Sequence, residues 1–182
     1  MRTRRFGGTV AASLALLVAG CGGGSATADP VAWTDEVCGA LTGFTRVVTA
    51  QPQIDPADPV AAVRTLDGWF GSTTAELQRS IAALDAVGAS PVDGGDQYVT
   101  RLREALSSMQ AGFEDARTRL DTADTSSPAA LAAAFPAVVA PLQDLRDVPD
   151  PTEGLQADDA LRTAGEQAPN CRALRTAGAP AG

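Results

Sequence analysis

Residues 98–120, YVTRLREALSSMQAGFEDARTRL, decide the fold, because their apolar side chains recur at intervals of three or four residues. This spacing places side chains on one face of an α-helix. The stripe consists of Tyr98, Leu102, Ala105, Met109, Phe113, Ala116 and Leu120. Most of the intervening positions are charged or small, so only the apolar face requires cover from neighbouring elements. The segment therefore predicts one long helix within a bundle.

Four further segments have helical spacing of apolar residues, and each starts with an acceptor side chain followed by proline. These starts are Asp29-Pro30, Asp58-Pro59, Ser127-Pro128 and Asp150-Pro151. An acceptor before proline is typical of a helix N-terminus. No segment alternates with a period of two, so we expect no sheet. The prediction is an all-α protein, an up-and-down bundle of four to five helices.

Two of these helices contain residues that disfavour a straight helix. Thr73-x-x-Glu76 has the spacing of a capping box just after Gly71, so the second helix either continues through Gly71 or breaks there. Pro136 and Pro141 each remove a backbone hydrogen bond from the fourth helix, where we expect a bend. The predicted buried face of that fourth helix consists of Leu131, Phe135, Val138, Leu142 and Leu145.

The N-terminus has the parts of an export signal: arginines at 2, 4 and 5, an uncharged apolar run over 10–19, and a small residue before Cys21. The apolar run is about half as long as a membrane-spanning helix. Val18-Ala19-Gly20-Cys21 resembles the lipobox of bacterial lipoproteins. The resemblance implies cleavage before Cys21, a diacylglyceryl thioether on its sulfur and acylation of the new N-terminus. Without lipidation, the segment would be an ordinary signal peptide.

These features divide the chain into four parts. Residues 1–20 are the predicted signal peptide, and residues 21–32 are the lipidated cysteine with a tether of small residues. Residues 33–175 form one helical domain, a normal size for a single core. Residues 176–182 form a disordered tail. Because several acyl chains hold a protein on a bilayer, we expect the domain at the outer face of the cytoplasmic membrane.

The mature chain is strongly acidic. Removing residues 1–20 takes away three of the 14 basic residues and none of the 22 acidic ones, which leaves a net charge of −11. Such a surface repels phosphates, so the composition argues against nucleic-acid binding.

The basic residues are all arginine, and the chain contains neither lysine nor histidine, a bias typical of GC-rich genomes. Two loose patterns accompany this bias: Trp33-x-x-x-Val37-Cys38, and Ala168-Pro169-x-Cys171-x-x-Leu174. With its lipobox, the chain resembles small uncharacterised lipoproteins of high-GC actinobacteria. The resemblance implies no activity.

The chain contains three cysteines, an odd number for an exported protein. Because the lipobox assigns Cys21 to the lipid, Cys38 and Cys171 remain as a pair that should oxidise outside the cytoplasm. The bond would close a loop of 133 residues between the first helix and the C-terminal segment, for which chain entropy predicts roughly 5 kcal/mol of stabilisation. A metal-binding or catalytic thiol pair would need histidine or C-x-x-C spacing, and the sequence has neither.

The sequence offers little catalytic chemistry. Without histidine, neither a Ser-His-Asp nor a Cys-His arrangement is available within this chain. The carboxylates fall mainly at helix starts or opposite the apolar stripes, where they favour the helix dipole and solubility. Asp93-Gly94-Gly95-Asp96 lacks the alternating acids and distal Glu of a calcium loop. We therefore expect no enzyme, no cofactor and no metal site.

Two tryptophans are large for a core built mainly of Ala, Leu and Val. Trp33 and Phe70 fit the core of the bundle by their spacing. Trp69 is offset by one position from its stripe, so it either packs at the edge of the core or lines a groove. We therefore consider Trp33 and Trp69 as contacts for a ligand or partner.

The functional expectation is a non-catalytic, membrane-anchored domain that binds another component of the cell envelope, most simply a protein. The anchor, the tether and the bundle motivate it. The alternative is a carrier or sensor of a small apolar ligand held between helices, which would need a closed apolar cavity of about 300 Å³ or more.

Overall fold

A computed structural model describes residues 29–55, 57–143 and 158–178. The predicted signal peptide and Cys21 lie outside these ranges. Seven helices and no strand occur within them. The helices are α1 (Pro30–Gly39), α2 (Thr42–Thr49), α3 (Pro59–Ala86), α4 (Gly95–Thr122), α5 (Pro128–Gln143), α6 (Asp159–Gln167) and α7 (Pro169–Gly178). The predicted all-α bundle is confirmed. In the described part of the chain, no helix combines the length and the apolar character needed to span a bilayer.

Helices α3 and α4 form the centre of the bundle, and each is 28 residues long. They are antiparallel, because Asp67 near the start of α3 pairs with Arg117 near the end of α4, and Asp85 pairs with Arg103 at the other end. The turn between them needs Gly94, whose φ of 78° is left-handed. The predicted stripe of α4 packs into the core, with Met109 at its partly buried edge.

Helix α3 is continuous through Gly71, which answers the question that the sequence left open. The capping box does not form. Thr73 is instead fully buried, and its hydroxyl donates to the carbonyl of Trp69 one turn earlier at 2.8 Å. The Thr73 hydroxyl thus has a hydrogen-bond partner inside a continuous helix and does not act as an N-cap.

The predicted first helix is divided into α1 and α2. Helix α1 begins as predicted, with the Asp29 carboxylate accepting from the amide of Val31 at 3.0 Å. It ends at Gly39, whose carbonyl accepts from the Thr42 hydroxyl at 2.9 Å. Glycine is a poor helix former, and this local bond supports the turn. Because α1 includes Pro30 and the two residues after it, the end of the predicted tether is helical.

Helix α5 continues through both of its prolines. Pro141 has no N–H for the carbonyl of Ala137, which would be its helical acceptor. Arg119 of α4 supplies a donor instead, with its Nη1 lying 3.4 Å from that oxygen. The freed carbonyl of Ala132, opposite Pro136, belongs to an exposed residue that water can reach. Arg119 of the neighbouring helix thus replaces one of the two missing bonds.

The described part of the C-terminal segment contains two helices, and the predicted one through Leu161 to Ala164 is the first of them. Helix α6 begins at Asp159, because the Asp158 carboxylate accepts from the amides of Ala160 and Leu161. The predicted helix start at Asp150-Pro151 lies outside the described residues. Helix α7 was not expected, and it extends to Gly178, so the first three residues of the predicted tail are helical. The remaining tail residues lie outside the described ranges.

The main core cluster receives side chains from α1, α3, α4, α5 and α6. Its buried residues are Trp33, Val37, Leu66, Phe70, Leu77, Leu84, Tyr98, Leu102, Leu106, Phe113, Ala116, Leu120, Val138 and Leu161. Phe135 does not join it. This residue was predicted on the buried face of α5 but is 38% exposed, because the buried positions of α5 are Leu131, Val138 and Pro141.

Candidate functional site

Cys38 and Cys171 form the predicted disulfide, with their Cα atoms 5.1 Å apart. Both are buried, at 2% and 4% exposure, in a small apolar cluster with Ala168. The bond ties α1 to α7 as the cysteine count indicated. The predicted lipidation site, Cys21, lies outside the described residues.

Trp33 belongs to the core and offers little surface to a ligand. Its side chain is 5% exposed, and its indole N–H donates to the carbonyl of Gly88 at 2.9 Å. The bond joins the start of α1 to the connection that follows α3. Trp33 therefore packs in the core as its spacing predicted, with its polar atom paired and its ring covered, and its role as a contact for a ligand or partner stays a prediction.

Trp69 lies at the edge of the core and is partly buried. Its ring contacts those of Phe70 and Phe113, each with centroids 5.5 Å away. Its indole N–H donates to the carbonyl of Val47 in α2 at 3.3 Å. This geometry shows Trp69 holding α2 against α3, with part of its ring still reachable from solvent.

Several charged side chains form ion pairs on the surface, across or along helices. Arg117 and Asp67 are 49% and 37% exposed, and the hydrogen bond and charge of Asp67 raise the pKa of Arg117. Exposed pairs of this kind add little stability. Within the described ranges, no three His, Cys, Asp or Glu side chains are grouped so that they could hold a metal ion.

A shallow depression lies on the outer surface of the first half of α4. Its lining residues are Asp96, Gln97, Thr100, Arg101 and Glu104, and it is widely open to solvent. All five positions belong to one helix and carry polar or charged side chains. The depression therefore lacks the closed apolar walls that a carrier of an apolar ligand requires.

The outer face of α5 is the candidate binding surface. Among the described helices, α5 alone has no charged residue. We use "the α5 face" for the exposed residues Ala129, Ala132, Ala133, Phe135, Pro136 and Ala137. Sequence reasoning missed this surface because it placed Phe135 in the core. The signal was present in the sequence, since residues 128–143 are uncharged on every side, whereas a surface helix normally has a charged face.

The geometry thus provides an apolar helix face, an aromatic cluster under α2 and a buried disulfide. No known protein family, curated protein or solved structure matches the chain.

Proposed function

We propose that this protein is a membrane-anchored extracytoplasmic lipoprotein whose helical domain binds another protein of the cell envelope without catalysing a reaction. The observation that carries the proposal is the α5 face. Sixteen uncharged residues form this helix, and one side of it is exposed. An exposed apolar helix face is typical of a binding surface.

The chemistry of the α5 face favours a helix of a partner protein as its ligand. Four of its six exposed residues are alanines, whose small side chains allow another helix to approach closely. Phe135 projects beside them with 38% of its surface exposed. Large aromatic side chains often carry much of the energy of a protein interface. A partner helix with larger aliphatic side chains would therefore pack against the alanines and flank Phe135.

The anchor rests on the lipobox-like sequence that ends at Cys21. Helix α1 begins at Pro30, so the seven residues 22–28 and the cap Asp29 separate it from that cysteine. A small-residue chain of seven residues spans about 15 Å. The start of α1 would thus lie close to the outer face of the cytoplasmic membrane, and the α5 face would meet membrane-associated partners at a high effective concentration.

Replacing Cys21 by alanine tests the anchor. We expect Cys21→Ala to leave the membrane fraction and collect in the soluble or unprocessed pool, because its sulfur would carry no lipid. The matched control is Cys38→Ala, which removes a different cysteine and should stay with the membranes. Equal membrane association of the wild type and Cys21→Ala would contradict the proposal.

Site-specific photocrosslinking tests the α5 face. A photoreactive residue at Phe135 should give a discrete crosslinked protein in intact cells, whereas the same residue at exposed Ser107 of α4 should not. Ala133→Arg should abolish the product by placing a charge in the interface. Ser107→Arg serves as its control. A crosslink that survives Ala133→Arg, or that forms equally from position 107, would contradict a role for this face.

A further inference from the structure

The N-terminus of α7 lacks a capping side chain of its own. The first bond of this helix runs from the amide of Arg172 to the carbonyl of Ala168, so Ala168 occupies the cap position. Alanine has no side-chain acceptor, and Pro169 has no N–H. The amide of Asn170 is therefore the first donor that needs a partner from elsewhere.

Asp35 of α1 provides that partner from a position 135 residues earlier in the chain. Its Oδ1 accepts from the amide of Asn170 at 2.7 Å. The Asn170 side chain completes the contact, because its Nδ2 donates to Oδ2 of Asp35 at 3.1 Å and to the Asp35 carbonyl at 3.2 Å. Asp35 is thus a helix cap supplied by another helix, and all three bonds are partly buried.

Gly39 leaves the space that this contact needs. A Cβ atom at Gly39 would lie 3.0 Å from Nδ2 of Asn170, closer than side-chain neighbours normally approach. The start of α7 is therefore fitted against the last turn of α1 by shape as well as by hydrogen bonds.

The disulfide lies directly beside this contact. Cys38 follows Asp35 by three residues, on the same side of α1, and Cys171 follows Asn170. We propose that Asp35 is a positioning residue for the disulfide: it caps α7 from α1, and so holds the C-terminal strap, α6 and α7, in place before the sulfurs are joined.

Apolar contacts bring the strap to the bundle, and Asp35 sets its register. Leu161 and Ala164 of the strap are 1% and 3% exposed, and Ala168 is fully buried. Leu161 packs in the main core cluster, which contains neither cysteine, whereas Ala168 packs against Cys38 and Cys171. In an unfolded chain, a loop of 133 residues would rarely bring the two thiols together. In the docked strap they are neighbours, which raises their effective concentration.

The redox step balances with an external disulfide as oxidant. The thiols of Cys38 and Cys171 lose two protons and two electrons and form one S–S bond. Oxidised glutathione accepts the electrons and, with two protons, becomes two molecules of glutathione. The equilibrium constant for this exchange between glutathione and the protein gives the effective concentration of the Cys38 and Cys171 thiols.

The test is this equilibrium for the mature domain in glutathione buffers, with folding of the reduced form checked by circular dichroism. We expect Asp35→Ala to lower the effective concentration roughly ten-fold, the effect of losing one charged cap. Asp35→Asn should recover only part of it, because its amide oxygen can still accept from the Asn170 amide, whereas its NH2 group would face Nδ2 of Asn170. The matched control is Asp96→Ala, which removes a carboxylate that accepts from the amide of Ser90 within the α3–α4 connection. Asp96→Ala should leave the effective concentration of the two thiols within about two-fold of the wild-type value. An unchanged value for Asp35→Ala would overturn the proposal.

A second measurement applies if reduced Asp35→Ala unfolds. In a Cys38→Ser/Cys171→Ser variant, trypsin should cleave after Arg172 slowly, and adding Asp35→Ala should accelerate this cleavage roughly ten-fold. Equal cleavage rates would overturn the proposal. Unfolding of the cysteine-free variant with Asp35 intact would also overturn it, because the strap would then depend on the bond for docking.

Discussion

Gly94 and Gly68 show opposite reasons for a glycine in this bundle. Gly94 has a φ of 78° in the turn before α4, whereas Gly68 lies exposed inside α3, where a Cβ atom would meet nothing within 4 Å. We expect Gly94→Ala to lower the free energy of unfolding by about 1–2 kcal/mol, because a Cβ disfavours left-handed backbone. Gly68→Ala should raise it by about 0.5–1 kcal/mol through helix propensity.

Urea denaturation of both variants beside the wild type measures the two shifts. Each substitution serves as the control for the other, because both add a single methyl group at a position with open space around it. If both substitutions changed the free energy of unfolding in the same direction, backbone conformation would not be what distinguishes Gly94 from Gly68.

Single residues also show where sequence periodicity is informative. Trp33 follows the stripe of its helix and is buried, as periodicity predicts. Phe135 follows a stripe too, yet it is exposed. In α5 almost every residue is apolar, so several faces fit the spacing equally well, and only the contact with α4 selects one. Periodicity selects a face when polar residues mark the opposite side, as they do in α4.

Two helix starts with local caps were predictable from the sequence, whereas the start of α7, whose cap is distant, was not. Asp29 and Asp58 cap the helices that directly follow them, and both starts were predicted correctly. Helix α7 has its cap in Asp35, 135 residues away. No local signal marks such a helix start, because the residue at the cap position is Ala168. For the same reason, the sequence did not predict that α5 continues through Pro141. The donor that replaces the missing N–H of Pro141 is Arg119, which lies in a different helix, α4.

Arg119 provides a test of how α5 tolerates Pro141. We expect Arg119→Met to lower the free energy of unfolding by about 1 kcal/mol and to speed hydrogen exchange in α5, because the carbonyl of Ala137 loses its donor. Arg79→Met is the matched control. Arg79 pairs with Glu76 at 2.9 Å and bonds only within α3, so its loss should cost a few tenths of a kcal/mol. Exchange in α5 that is equally slow in both variants would contradict the role of Arg119.

At the scale of the whole molecule, the chain order explains why the C-terminal strap needs several ties. Helices α3, α4 and α5 follow one another antiparallel, so short connections keep them together. The strap instead returns to α1, the first described helix, and its contacts with α1 join the two ends of the domain. Loop closure makes such contacts costly to form, and Leu161, the Asp35 cap and the disulfide together offset that cost.

Removing the disulfide should therefore affect the stability of the whole domain. We expect Cys38→Ser/Cys171→Ser to lower the free energy of unfolding by about 2–5 kcal/mol, because the unfolded chain regains the entropy of a 133-residue loop. Urea denaturation with and without reductant measures this loss. Reductant should destabilise the wild type to a similar extent and leave the double variant unchanged. If the oxidised wild type and the double variant unfolded at the same urea concentration, the bond would not stabilise the fold, and the strap would depend on Leu161 and Asp35 alone.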